Sequence, residues 1–217
     1  MMREKKTICV VAVHPDDETL GCGGTILKYL ANGDEVHCIL VTKGNDEQSK
    51  IWEEVKNVYQ FTSVTELDFQ ELDLMDISLN ELIPPISKAI SAIKPQVLII
   101  PNRSDAHSDH KAVFNAVASC TKAFRYPFVE QVLMMEVISE TDFALPLPEG
   151  QFVANYFVDI TEQYPHKEEI LKIYESELLP YPQTRNLSTM QALNRYRGSQ
   201  INAEYAEAFM NLKTIVR

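Results

Sequence analysis

Three runs of aliphatic and β-branched residues, at 7–13 (TICVVAV), 35–42 (EVHCILVT) and 96–100 (QVLII), are separated by stretches with helical periodicity. A strand that is apolar at nearly every position has to be covered on both faces, which is the situation of a strand inside a parallel sheet with helices above and below it. After the first run, Ile26, Leu27 and Leu30 give a helix over 20–30 that Asn32 and Gly33 close. After the second, a turn at 44–46 leads into a stripe of Ile51, Val55, Val58 and Tyr59. The pattern predicts further helices at 82–93, 108–124, 168–178 and 203–212, and further strands at 131–138 and 152–159. Strands alternating with helices imply right-handed crossovers, so the expected fold is a Rossmann-like three-layer α/β/α domain with a mostly parallel sheet. At 217 residues it is expected to be a single domain over 1–217, large enough to bury roughly 70% of the unfolded chain's surface. The Pro- and Gly-bearing stretches at 141–150 and 180–182 read as loops within it.

Lys and Arg total 20 against 31 Asp and Glu, a formal charge of −11 that excludes a surface built to neutralise phosphates, so no nucleic acid is expected as partner. The small basic clusters at 3–6 and 195–197 read as solvated charge. The N-terminal apolar run stops at His14, short of the ~7–15 residues of a signal core, and nothing approaches the ~18 apolar residues of a transmembrane segment. The expectation is a cytoplasmic protein whose four cysteines (Cys9, Cys22, Cys38, Cys120), none in a CxxC pair, are free buried thiols.

In a sheet of this kind, ligands bind beyond the C-terminal ends of the strands. The loop after the first run reads His14-Pro15-Asp16-Asp17-Glu18, and the one after 96–100 reads Asp105-Ala106-His107-Ser108-Asp109-His110. Each alone could be a polar loop that caps the next helix. Together, on one edge of one sheet, they offer imidazoles and carboxylates of the kind a catalytic zinc site uses, three protein ligands at ~2.0–2.2 Å and one open position. Neither loop holds a thiolate, and two imidazoles disfavour calcium or magnesium. Neighbouring carboxylates in a tight loop point apart, so one of Asp16 and Asp17 can bind a metal while the other serves as a base toward water. His107 can stabilise a developing oxyanion or protonate a leaving nitrogen, and Asp109 can orient His107 or a ligand imidazole.

The run Gly21-Cys22-Gly23-Gly24 invites a dinucleotide-binding reading, but Ile26 stands where the fingerprint needs Gly or Ala, and the preceding loop is acidic. Close packing of the first helix under the loop explains these glycines better. His37 and His166 belong to no such pair of motif loops, and His37, inside a strand, reads as a core or face residue rather than a ligand.

The stretch AVHPDDETLGCGGTILKYL, followed by a strand and later by HSDH, resembles the LmbE/PIG-L family of zinc-dependent N-acetylglucosaminyl deacetylases. Residues 7–45 and 96–120 carry the resemblance, and 197–209 carry it more weakly. It implies an LmbE-like Rossmann fold with His14, Asp17 and His110 as ligands of Zn2+, for which Fe2+ or Co2+ could substitute. It also implies Asp16 as general base, His107 as the residue that stabilises or protonates the tetrahedral step, and Glu18 and Asp109 as support. Family members often carry an Arg three residues before a Glu near the start of the second helix. Here Lys50 precedes Glu53, which keeps the charge but loses bidentate reach.

The implied activity is hydrolysis of the N-acetyl group of an N-acetylglucosamine-type sugar or conjugate, a small-molecule partner, with homo-oligomers common in the family. Two other readings fit the same residues: an amidase on a non-sugar N-acyl substrate, and a catalytically silent metal- or sugar-binding module. The presence of both a base and an oxyanion partner disfavours the silent module.

Overall fold

The computed structural model describes residues 4–216, so Arg3 of the N-terminal basic cluster lies outside it. The chain runs β1 (Thr7–Ala12), α1 (Asp17–Ala31), β2 (Glu35–Lys43), α2 (Asp46–Tyr59), β3 (Ser63–Gln70), α3 (Leu79–Ile93), β4 (Val97–Ile100), α4 (Ser108–Ala118), β5 (Gln131–Met135), β6 (Tyr156–Asp159), α5 (Tyr164–Ile173), α6 (Leu187–Ser199) and β7 (Ala206–Thr214). One seven-stranded sheet has the order β3-β2-β1-β4-β5-β7-β6. The first five strands in sequence pair in parallel, and β7 pairs antiparallel with both β5 and β6.

β1 shows why the apolar runs become central strands. Ile8, Val10 and Ala12 pack with Ile26, Trp52 and Tyr59 on one side, while Cys9, Val11 and Val13 pack with Leu82, Ile86 and Val113 on the other. The residues on both faces are completely shielded from solvent, so neither face of β1 tolerates a polar side chain. Helices α1, α2 and α5 thus cover one face, and α3 and α4 the other. All four cysteines are free and buried. No helix among the described residues is long and apolar enough to cross a membrane.

The glycine run does what its packing reading implies. A Cβ on Gly21 would lie 2.8 Å from Met135 Sδ, one on Gly23 2.7 Å from the Tyr59 hydroxyl, and one on Gly24 2.7 Å from Ile160 Cδ1. Here α1 also breaks step at Cys22 (φ −151°, ψ 23°), which lets it lie close against the sheet. His37, as expected, is a strand residue, its ring bonded to Ser63 Oγ at 2.7 Å.

Several elements differ from the sequence expectation. The helix expected at 203–212 is strand β7, the one expected at 168–178 is α5 (Tyr164–Ile173), and the one expected at 108–124 stops at Ala118. The strands expected at 131–138 and 152–159 are shorter, and β3 and α6 had no prediction. β7 carries good helix formers, but strands on both sides claim its backbone groups, so tertiary pairing overrides propensity.

Candidate metal centre

β1 pairs with β2 on one side and β4 on the other, so the chain leaves the sheet in opposite directions from these neighbours. The crevice beyond their C-terminal ends is the topological switch point, where ligands of open α/β sheets bind. Both motif loops enter it.

The first loop is drawn tight by Asp17, whose Oδ2 accepts the main-chain N–H groups of Val13 (3.0 Å) and His14 (2.9 Å). Asp16 precedes α1 at φ 136°, ψ −27°, and its side chain does not cap the helix. That backbone geometry is sparsely populated for a non-glycine residue and costs on the order of 1–3 kcal/mol. It is held by Glu18 Oε2, which accepts the Asp16 N–H at 3.2 Å, and by Arg185, which donates to Asp16 Oδ2 at 2.9 Å. The two adjacent aspartates therefore point apart, Asp17 into the loop and Asp16 toward Arg185. Glu18 is fully buried and also accepts from Thr19 Oγ1 and from the Tyr174 hydroxyl. Burial pushes its pKa up to about 7 against those hydrogen bonds.

The second loop delivers His107, Asp109 and His110 at the start of α4. His110 is fully buried, and its Nδ1 donates to Asp105 Oδ2 at 2.7 Å. Asp105 is itself fixed by the Thr141 hydroxyl at 2.7 Å. With Nδ1 so used, the ring's second nitrogen can present a lone pair. That Nε2 has no hydrogen-bond partner, although it lies 3.3 Å from Asp17 Oδ2 in a direction unsuited to a hydrogen bond. His14 Nδ1 lies 3.8 Å from the same oxygen.

Ligand atoms of His14, Asp17 and His110 all lie within 4.8 Å of one another. Tetrahedral ligands at ~2.0–2.2 Å from a cation stand about 3.3–3.6 Å apart, so these donors fit a metal ion with little adjustment. A buried, unbonded imidazole nitrogen facing a buried carboxylate is otherwise costly, which makes it the best single sign of a ligand site. Burial opposes charge on His110, but Asp17 and Asp105 outweigh it and hold the imidazole pKa well above its ordinary value.

His107 is the N-cap of α4, with Nδ1 accepting the Asp109 N–H at 3.1 Å. The ring is therefore neutral, with its proton on Nε2. Burial, then the neighbouring His14, keep its pKa below the usual value. The same bond argues against the other converging group, His14, Glu71 and His107, as a metal site, because His107 has no lone pair left to give. Asp109 is fully buried, accepts the Leu72 N–H at 2.8 Å and lies 3.3 Å from His14 Nε2, so it is placed to orient His14 rather than His107, whose Nδ1 is 4.0 Å away.

Lys50 is exposed on α2, and a cavity of about 100 Å3 beside the loop is lined instead by Pro15, Thr42, Ser49, Trp52, Glu53 and Asp68, among others. Larger clefts lie between α1 and β6, and between α4 and the 145–150 segment; neither is lined by the His14, Asp16, Asp17, His107, Asp109 and His110 cluster.

Sequence reasoning left three participants unassigned. Asp105 stands in the quoted loop, where its spacing to His110 is the only signal. Glu140, whose Oε2 accepts the His107 N–H at 2.9 Å, and Arg185 come from distant segments with no motif around them.

The sequence profile of the family described as "GlcNAc-PI de-N-acetylase" (PIG-L) matches residues 9–121. A 45-residue stretch, 21% of this chain, is 49% identical to 1D-myo-inositol 2-acetamido-2-deoxy-alpha-D-glucopyranoside deacetylase of Rhodococcus opacus (strain B4). That match spans only 15% of the Rhodococcus protein's length. The fold is similar to that of the conserved protein TT1542 from Thermus thermophilus, with a TM-score of 0.78 at 22% identity over 98% of this chain and 97% of that one. It is also similar to the N,N'-diacetylchitobiose deacetylase from Pyrococcus horikoshii, with a TM-score of 0.73 at 18% identity over 97% and 85% of the two chains.

Proposed function

The chain belongs to the PIG-L family, and from that premise we propose that it is a metal-dependent deacetylase that hydrolyses the acetamide of an N-acetylglucosamine-type sugar or conjugate. The observation that carries the metal assignment is the unbonded His110 Nε2, left with a lone pair by the Asp105 hydrogen bond and facing Asp17. Two imidazoles and a carboxylate, with no thiolate, favour zinc, while Fe2+ and Co2+ suit the same donors. The sugar reading draws on the family and on the Rhodococcus relative, and the cavity lined by Ser49, Glu53 and Asp68 offers groups suited to sugar hydroxyls.

A divalent cation held by His14, Asp17 and His110 would supply Lewis acidity to a water and to the acetamide carbonyl. Asp16 takes the proton as that water attacks the carbonyl carbon. The His107 Nε2–H donates to the carbonyl oxygen as negative charge develops there, and the neutral ring needs no second proton for this role. His107 has no further proton to give while it caps α4, so Asp16 returns its proton to the nitrogen as the C–N bond breaks. Acetate and a free amine leave. Asp109 and Asp105 hold the two ligand imidazoles by their second nitrogens.

The test is primary-amine release from free and glycosidic N-acetylglucosamine, UDP-N-acetylglucosamine and N-acetyl amino acids, run with zinc-loaded protein. Sugars are expected to be cleaved and amino acids not. Asp16→Asn should keep stoichiometric zinc and lose about 10²–10⁴-fold in turnover. Release from the amino acids alone would overturn the sugar assignment, and full activity of Asp16→Asn would overturn the role of Asp16.

A further inference from the structure

Arg185 is partly buried, its side chain 20% exposed, and touches acidic groups on both sides of the centre. Its Nη1 donates to Asp16 Oδ2 at 2.9 Å, and its Nη2 lies 3.6 Å from Glu140 Oε1. The other Glu140 oxygen accepts the main-chain N–H of His107. One planar guanidinium thus spans the carboxylate after β1 and the carboxylate that anchors the loop after β4.

The main chain that presents Arg185 is fixed. The Leu179 N–H donates to the Arg185 carbonyl at 2.7 Å, closing the segment between them. The next residue, Asn186, caps α6 by accepting the Thr189 N–H at 3.0 Å. Asp16 needs such support: its φ is positive, it is 5% exposed, and the carboxylates of Asp17, Glu18 and Glu177 add to the burial that disfavours its charge. With Oδ2 tied to the guanidinium, the carboxylate plane is set and Oδ1 is the oxygen free to exchange a proton.

We propose that Arg185 is a positioning residue for the reaction assigned above, holding the Asp16 carboxylate in its working orientation and linking it through Glu140 to the loop that carries His107. The proposal rests on the reading of Asp16 as the base. Arg185 and Glu140 both lie beyond residue 121, outside the segment that matches the family profile, so this part of the chain supplies the bracing itself. A lysine offers a point charge and cannot span both carboxylates, which separates geometry from charge.

Arg185→Met, Arg185→Lys and Arg185→Ala are to be compared with the wild type at matched zinc content and melting temperature. Misplacing a reacting group by about 1 Å costs on the order of 10²-fold. Arg185→Met should therefore lose about that factor in kcat with KM held. Arg185→Lys should retain part of the rate, and millimolar guanidinium should restore part of the Arg185→Ala rate. Wild-type kcat in Arg185→Met, or equal loss in Lys and Met variants without guanidinium rescue, would overturn the proposal. A crystal structure of zinc-loaded Arg185→Met decides the same point without substrate: Asp16 should turn from its present orientation, and an unmoved carboxylate sinks the idea. If the wild type cleaves nothing, the deacetylase reading fails while the Asp16 orientation still tests the bracing.

Discussion

The His110 ring sits between two carboxylates that do different work. Asp105 accepts the hydrogen bond from Nδ1–H, and Asp17 faces Nε2. Asp105→Asn keeps an oxygen for that bond but removes the charge that makes the imidazole a better donor, so zinc affinity should fall about 10–100-fold, read by competition with a chromophoric chelator. His110→Ala should abolish stoichiometric binding in the same assay. Asp17 and Asp105 hold the His110 pKa well above its ordinary value, so a proton competes with the cation for Nε2. Zinc must displace that proton, so affinity should rise with pH, and titration calorimetry in buffers of different ionisation enthalpy should show proton release. An affinity indifferent to pH between about 6 and 8 would contradict this. At this scale the sequence was informative where chemistry is contiguous: His14, Asp16, Asp17, His107, Asp109 and His110 lie in two short loops that the sheet brings together. Arg185 and Glu140 were hidden because their partners, Asp16 and the His107 N–H, lie far away in sequence, and a lone Arg or Glu in a loop looks like any solvated charge.

Elements were legible in proportion to how completely they are buried. β1, β2 and β4 read as apolar runs because helices cover both faces. β3, SVTELDFQ, lies at the sheet edge with none of its residues fully buried, so no run marks it. α6 buries only Met190, Asn194 and Gly198, a stripe with one large apolar residue, and Asn194 is there to donate to the Ala206 carbonyl at 3.0 Å. The glycine run in α1 gives a test at this scale. Gly24→Ala would ordinarily gain about 1 kcal/mol of helix propensity. Here the new Cβ would meet Ile160 Cβ at 2.8 Å, an atom close to the backbone that cannot swing aside. The variant should therefore lose about 1–3 kcal/mol in urea unfolding, whereas a gain would mean that α1 can slide away from Ile160.

A buried ion pair in the C-terminal portion, beyond the segment that matches the family profile, docks that portion onto α1. Lys167 Nζ on α5 lies 2.7 Å from Glu207 Oε1 on β7 and 3.1 Å from the Leu20 carbonyl of α1. Glu207 in turn accepts the N–H groups of Gly24 (2.8 Å) and Thr25 (2.7 Å), where α1 resumes after its break at Cys22. A carboxylate at the start of a helical segment is favourable to the helix dipole, and the lysine neutralises what would otherwise be a buried charge. The arrangement is invisible in sequence because its three members are spread over the whole chain. Lys167 and Glu207 are 1% and 2% exposed, so water cannot take over for a missing partner. Lys167→Met should therefore cost about 3–5 kcal/mol by urea unfolding at neutral pH, because Glu207 is left charged and unpaired. Adding Glu207→Gln to that variant removes the buried charge and keeps one oxygen for one of the two N–H groups that Gly24 and Thr25 now direct at separate carboxylate oxygens, so it should recover part of the loss. If the double variant is no more stable than Lys167→Met, the cost lies in lost packing around the lysine stem rather than in an unpaired charge. Because α1 also begins with Asp17, the same variants should loosen zinc when Glu207 is left unpaired and tighten it again in the double variant, a coupling that equilibrium dialysis can read.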